Sequence, residues 1–125
     1  MKDPTNPVCR TISTLLQRIG DKWTVLVVST LAEGPRRFNE LRREIPSVSQ
    51  RMLTLTLRNL ERDGLVSRAV TPSIPPRVDY ALTDLGHSLL APVSALTQWA
   101  LDNVATIHRA QAEFDAAHDD KAEAA

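Results

Sequence analysis

Apolar residues near the start of the chain recur at intervals of three and four. Ile12, Leu15, Leu16 and Ile19 form one stripe, which predicts a helix from Cys9 or Arg10 to Ile19 after an extended lead-in over residues 1–8 that holds Pro4 and Pro7. Gly20 ends that helix. Asp21 can cap a second one, whose inward face is Trp23, Leu26, Val27, Thr30 and Leu31. Trp23 is expected to anchor the core, with stacking on a ligand as the alternative use of its ring. Gly34-Pro35 breaks the second helix. Arg36-Arg37-Phe38 then reads as a short strand, and Asn39 to Ile45 as a short helix with Leu41 and Ile45 inward, before Pro46 forces a turn.

The stretch from Ser47 to Leu82 organises the rest. A helix starts at a hydroxyl cap, either Ser47, with Gln50 placed to complete a capping box, or Ser49, and meets no Gly or Pro until Gly64. At about 100° per residue, Leu53, Thr56, Leu57 and Leu60 share one face and Arg51, Leu55, Arg58 and Arg62 the opposite one. One side is predicted to be buried and the other cationic. Leu65 to Thr71 and Arg77 to Leu82 have the alternation and β-branching of strands and flank the turn-rich Pro72-Ser73-Ile74-Pro75-Pro76, so they predict a two-stranded wing. Arg36-Arg37-Phe38 would add a third strand and give the ribbon a base.

Beyond the wing, Thr83 can cap a helix with Leu85, Leu89 and Leu90 inward, and Pro92 predicts a break or kink. Val93, Leu96, Trp99 or Ala100, Val104 and Ile107 then repeat at three to four residues. This stripe lies outside the compact core and needs a partner. Either it packs back on the first helix of its own chain, or both helices form a two-fold interface built from Ile12, Leu15, Leu16, Ile19, Leu96, Trp99, Ala100, Val104 and Ile107; the second is preferred, because so long an apolar face would otherwise be exposed. The Ala-rich, acidic stretch from Ala110 to Ala125 is expected to fray after Phe114. The predicted organisation is a lead-in over 1–8, one domain over 9–109 and a tail over 110–125.

The 125 residues suffice for a single core. Their formal net charge is zero, which by itself argues against a nucleic-acid partner. The zero is a cancellation: residues 34–82 carry nine Lys/Arg against five Asp/Glu, whereas residues 83–125 carry two against seven. A cationic middle can attract phosphate while the acidic end is repelled from it. Arginine dominates that middle and can hold phosphate or guanine through two parallel hydrogen bonds.

Other chemistries find little support. A single cysteine, Cys9, excludes an intramolecular disulfide and any site of several thiolates, and His87, His108 and His118 fall at no metal-binding spacing. No nucleophile–base set, phosphate loop or dinucleotide fingerprint is present, so neither an enzyme nor a cofactor is expected. Without a membrane-length apolar run or the apolar core of a signal peptide, the expectation is a soluble cytoplasmic protein with no membrane partner.

A helix fits the major groove of duplex DNA, and a ribbon beside it can reach neighbouring phosphates or the minor groove. The expected fold is therefore mainly α with a small β wing, a winged helix-turn-helix with N- and C-terminal dimerisation helices. Gly20-Asp21-Lys22-Trp23-Thr24, Gly34-Pro35-Arg36-Arg37-Phe38-Asn39-Glu40-Leu41-Arg42, Ser49-Gln50-Arg51-Met52-Leu53 with Leu57-Arg58-Asn59-Leu60-Glu61, and Pro75-Pro76-Arg77-Val78-Asp79-Tyr80-Ala81-Leu82-Thr83 occur in that order. Together they resemble the HxlR-type winged-helix transcriptional regulators, over roughly residues 6–101. The resemblance implies a dimeric bacterial DNA-binding regulator, often set beside a divergently transcribed operon, with the helix from Ser49 in the major groove and the hairpin around Pro75-Pro76 as wing.

Two departures from that family matter. Members commonly place polar or basic residues where this chain has Leu55 and Thr56, which points to apolar contact of Leu55 with thymine methyls. Many members also carry a thiol-sensing cysteine directly before a proline near the start, where this chain has Asn6-Pro7. Cys9 lies three residues beyond Asn6. It is either a thiol sensor, activated by the dipole of the first helix, or a small half-buried filler.

On this reading Ser49, Gln50, Arg51, Thr54, Leu55 and Arg58 contact the groove, Arg77 and Arg68 belong to the wing, and Arg36, Arg37 and Arg42 hold phosphates. The partners are double-stranded DNA and a second copy of the chain, with two Ser49 helices about 34 Å apart on a roughly palindromic operator. A small-molecule effector is compatible with this, in the apolar space between the first helix and the Trp99 helix. The alternative is a winged-helix protein-interaction module, whose DNA binding would be weak and insensitive to salt.

Overall fold

The computed structural model describes residues 5–124, with side chains described through residue 119. Residues 1–4 of the expected lead-in and the terminal Ala125 lie outside the described part. The elements are α1 (Pro7–Ile19), α2 (Lys22–Leu31), α3 (Phe38–Glu44), α4 (Gln50–Arg62), β1 (Val66–Thr71), β2 (Arg77–Leu82), α5 (Asp84–Ser88) and α6 (Leu90–Ala124). They fall into two compact units, Met1–Ala91 and Pro92–Ala125. Among the described residues no helix is long and apolar enough to cross a membrane.

In the first unit, α1 begins earlier than the prolines suggested. Asn6 caps it, its Oδ1 accepting from the Val8 N–H at 2.8 Å, and Pro7 takes the first helical position, where a missing N–H costs nothing. Residues 7 and 8 are thus helix, not extended lead-in. Asp21 caps α2 as expected, accepting from the Trp23 N–H at 2.8 Å. The buried stripe of α2 differs from the expected one. Thr24, Val27, Val28 and Leu31 are buried, while Leu26 is exposed and Trp23 only half-buried. Trp23 packs on the edge of the core, and the Lys22 ammonium sits 4.5 Å from its ring centroid. It therefore supports the core without anchoring it.

The core brings Val27, Val28 and Leu31 together with Leu41, Ile45 and Val48, the α4 face of Leu53, Leu57 and Leu60, and Val66 and Leu82 at the base of the ribbon. β1 and β2 pair antiparallel from Val66 opposite Leu82 out to Thr71 opposite Arg77. The third strand is reduced to one bridge between Arg36 and Tyr80, with N–O distances of 2.8 and 2.9 Å. It goes no further because Glu40 Oε1 accepts from the Arg37 N–H at 3.0 Å, which starts α3 at Phe38. Along β1 only Val66 is buried, so the ribbon leaves the core at its first residue.

Thr83 caps α5, as expected, its Oγ1 accepting from the Gly86 N–H at 3.1 Å. Leu85 is exposed instead of inward. Gly86 is the residue of this short helix that presses on the core, which turns its neighbour out.

The expected break at Pro92 is absent: the interruption falls at Leu89, and Pro92 lies in the first turn of α6, where its lost N–H has no helical acceptor to miss. Past Phe114, α6 runs on to Ala124. Alanine has the highest helix propensity, and the Phe114 and His118 rings, one turn apart, stack with centroids 3.7 Å apart.

Candidate nucleic-acid interface

The site is built on α4. Ser49 rather than Ser47 caps it, Oγ accepting from the Met52 N–H at 3.1 Å, which leaves the hydroxyl proton free to donate. The cap fixes the helix phase. Leu53, Thr56, Leu57 and Leu60 are buried, and Gln50, Arg51, Thr54, Leu55 and Arg58 are exposed, Leu55 at 49%. Thr54 Oγ1 donates to the Gln50 carbonyl at 2.8 Å, so toward a ligand it presents its methyl group and an acceptor. The exposed face thus offers an amide, two guanidiniums and an apolar branch within two turns of helix, a mixture suited to base edges and thymine methyls.

The C-terminal end of α4 is closed tightly. Gly64 adopts the left-handed conformation, φ +78°, and the Leu65 N–H bonds back to the Leu60 carbonyl at 2.9 Å. Thr83 Oγ1 donates to the Gly64 carbonyl at 2.6 Å. Arg18, from the last turn of α1, pairs with Asp63, the C-cap of α4. This contact spans 45 positions, beyond the reach of any periodicity in the sequence.

The wing presents Arg77 and Arg68. Arg77 is half-exposed and its Nε bonds Asp79 at 3.0 Å, both residues lying on the face of the ribbon opposite Val66 and Leu82. Arg68 stands opposite Tyr80 and is exposed. Arg37, the N-cap of α3, and Arg42 within α3 are exposed as well. Among the described residues Arg37, Arg42, Arg51, Arg58 and Arg68 hold no ion pair. Arg37 lines a groove with Pro75, Pro76 and Arg77 of the wing. Arg43 lines it too; its only signal in the sequence is that it adjoins Arg42.

Arg36 does not belong with these arginines. Its guanidinium is held by its own surroundings, Nε donating to Glu44 at 2.8 Å, Nη2 to Glu33 at 3.2 Å, and Nη1 to the carbonyls of Gly34 and Pro35 at 2.9 and 3.1 Å. The hydrogen bond to Glu44, helped by the surrounding carboxylates and opposed by desolvation, raises its pKa above the usual arginine value. It closes the turn between α2 and α3 with four of its five N–H donors, which leaves one on Nη2.

Of the residues expected at a dimer interface, Leu15, Leu16, Leu96, Trp99, Ala100 and Val104 are exposed, Leu96 and Trp99 at 62% and 60%, and Ile12, Ile19 and Ile107 are half-buried. Cys9 is 8% exposed, in the first turn of α1, with its N–H directed at Asn6 Oδ1. It is more deeply enclosed than a half-buried filler.

The HxlR-like helix-turn-helix family matches residues 18–108. An uncharacterised HTH-type transcriptional regulator of Methanothermobacter thermautotrophicus is 48% identical over 88 residues, covering 70% of this chain and 67% of that protein. The redox regulator HypR in its reduced form is 40% identical with a TM-score of 0.72, covering 79% of this chain and 98% of HypR. Diamide-treated YodB from B. subtilis is 34% identical with a TM-score of 0.67, covering 78% and 96% of the two chains. With the capped α4, the two-stranded wing and these likenesses together, the chain belongs to the HxlR-type family of winged helix-turn-helix transcriptional regulators.

Proposed function

We propose that this protein is a sequence-specific DNA-binding regulator of transcription that acts as a homodimer on a roughly palindromic operator. The observation that carries the proposal is the division of α4 into a fully enclosed leucine face and an exposed face of Gln50, Arg51, Thr54, Leu55 and Arg58. In the major groove, Arg51 and Arg58 donate to guanine or phosphate, Gln50 meets adenine, Leu55 meets thymine methyls, and Ser49 donates its free proton to the backbone. Arg77 and Arg68 extend the contact through the wing, and Arg37 and Arg42 hold flanking phosphates. Arg36 stabilises the fold instead.

A second copy covers the apolar residues exposed on α1 and α6, since Leu96 and Trp99 on a free monomer would keep large apolar surfaces in water. Two-fold symmetry then sets the two α4 helices one DNA turn apart, about 34 Å. HypR is a redox regulator and YodB was solved after diamide treatment, which supports switching by a thiol or a small molecule in this chain. In this chain the thiol is Cys9, and its enclosure means that the first turn of α1 must open before an oxidant or electrophile reaches it. Selection of bound duplexes from a random pool tests the function. An inverted repeat with half-sites about 10 base pairs apart is expected; recovery of no common sequence would overturn it.

A further inference from the structure

We infer that Arg18 and Asp63 form a positioning contact that sets the pitch of α4 against α1, and through it the register of the reading face; the inference rests on the DNA-binding proposal. Asp63 is an unexpected residue where it stands. A carboxylate at a helix C-terminus faces the negative end of the helix dipole, and this one is only 16% exposed. Arg18, 17% exposed, corrects both faults. Arg18 thus sets a positive charge in the last turn of α1 and pairs it with the carboxylate that caps the negative end of α4.

The consequence is mechanical. α4 is gripped at its C-terminal end by Arg18 on Asp63 and by Thr83 on Gly64, whereas its N-terminal turns carry the exposed reading face and are fixed mainly by the Ser49 cap and the leucine packing. A helix of this length is about 20 Å long, so a tilt of about 5° at the held end moves the far end by about 2 Å. That displacement exceeds what a hydrogen bond to a base edge tolerates. The same α1 carries Cys9 and the exposed Leu15 and Leu16, so a shift of α1 by thiol modification or by a change in its partner is delivered to α4 through this pair.

The test compares the unmodified chain with Arg18→Gln, Asp63→Asn and the reversed pair Arg18→Asp with Asp63→Arg, on selected and scrambled duplexes at two salt concentrations. Arg18→Gln should lose about tenfold of the selected-to-scrambled ratio. Its salt slope should not change, because the guanidinium is directed at Asp63 and not at a phosphate. The reversed pair should regain most of the loss. An unchanged ratio, a slope lowered by about one, or a reversed pair no better than the single variants overturns the inference. Amide exchange without DNA gives an independent readout: Met52 to Arg58 should exchange faster in Arg18→Gln and recover in the reversed pair, and unchanged protection overturns the tie. Failure of the unmodified chain to distinguish the duplexes would count against DNA reading itself, while the exchange data still decide whether the pair holds α4. Should Arg18→Gln not fold, the reversed pair must fold and discriminate, or the inference fails.

Discussion

The carbonyl oxygen of Leu65 lies 2.1 Å from the point that a β-carbon on Gly86 would occupy, with Leu82 Cδ2 at 3.1 Å on the same side. α5 therefore touches the turn after α4 backbone to backbone, at the place where Thr83 also caps α5 and closes Gly64. No flexible side chain is available to give way. Gly86→Ala is expected to lower stability by about 2–3 kcal/mol, read as a lower urea midpoint with an unchanged slope. A change within about 0.5 kcal/mol would show that α5 is not seated as described.

Leu55 and Leu57 have the same chemistry on opposite faces of α4. Leu57 is fully buried, and Leu57→Ala should cost about 2–5 kcal/mol. Leu55→Ala should cost no more than about 0.5 kcal/mol of stability, because nearly half of Leu55 is already in water. It should instead weaken the selected duplex relative to one whose thymines are replaced by uracil. Equal stability losses from both substitutions would mean that the phase of α4 is wrong.

Arg36 and Arg37, adjacent in the chain, should separate in the same way. Arg36→Ala removes the contacts to Glu33, Glu44 and the Gly34 and Pro35 carbonyls, so the melting temperature should fall while the salt dependence of DNA binding stays unchanged. Arg37→Ala should leave the melting temperature in place and flatten the salt slope by about one. Thermal unfolding and binding titrations of both variants check the assignment, and an exchange of the two outcomes would reverse it.

Much of this molecule was legible in the sequence where one strong local signal stood alone. The phase of α4 followed from its leucines, its end from Gly64, and the two strands of the wing from two alternating segments around a proline-rich turn. The signal failed where several patterns competed. In α2 the run Val25, Leu26, Val27, Val28 permits several stripes: the expected face holds Val27 and Leu31, which are buried, but takes the exposed Leu26 and omits the buried Thr24 and Val28. Pro7 suggests extended chain, but with Asn6 as its cap the helix takes the proline at its first position. Arg36 looked like a phosphate ligand because Glu44 reaches it only once α3 has folded. Arg18 and Asp63 are paired by tertiary structure alone.

If switching runs through the one thiol, Cys9→Ser should fold and bind the selected duplex as the unmodified chain does, and should keep it under peroxide or quinone concentrations that release the unmodified protein. Gel-shift titration across oxidant concentration gives the answer. Identical release from both proteins would remove Cys9 from the mechanism and leave a small molecule as the switch.

The central claim is that the exposed face of α4 reads bases while the wing holds the backbone, and the most direct measurement compares Arg51→Ala with Arg77→Ala on selected and scrambled duplexes at two salt concentrations. Arg51→Ala should lose about 1–3 kcal/mol on the selected duplex and little on the scrambled one. Arg77→Ala should weaken both alike and lower the salt slope by about one. Identical effects from the two substitutions on both duplexes would contradict the account.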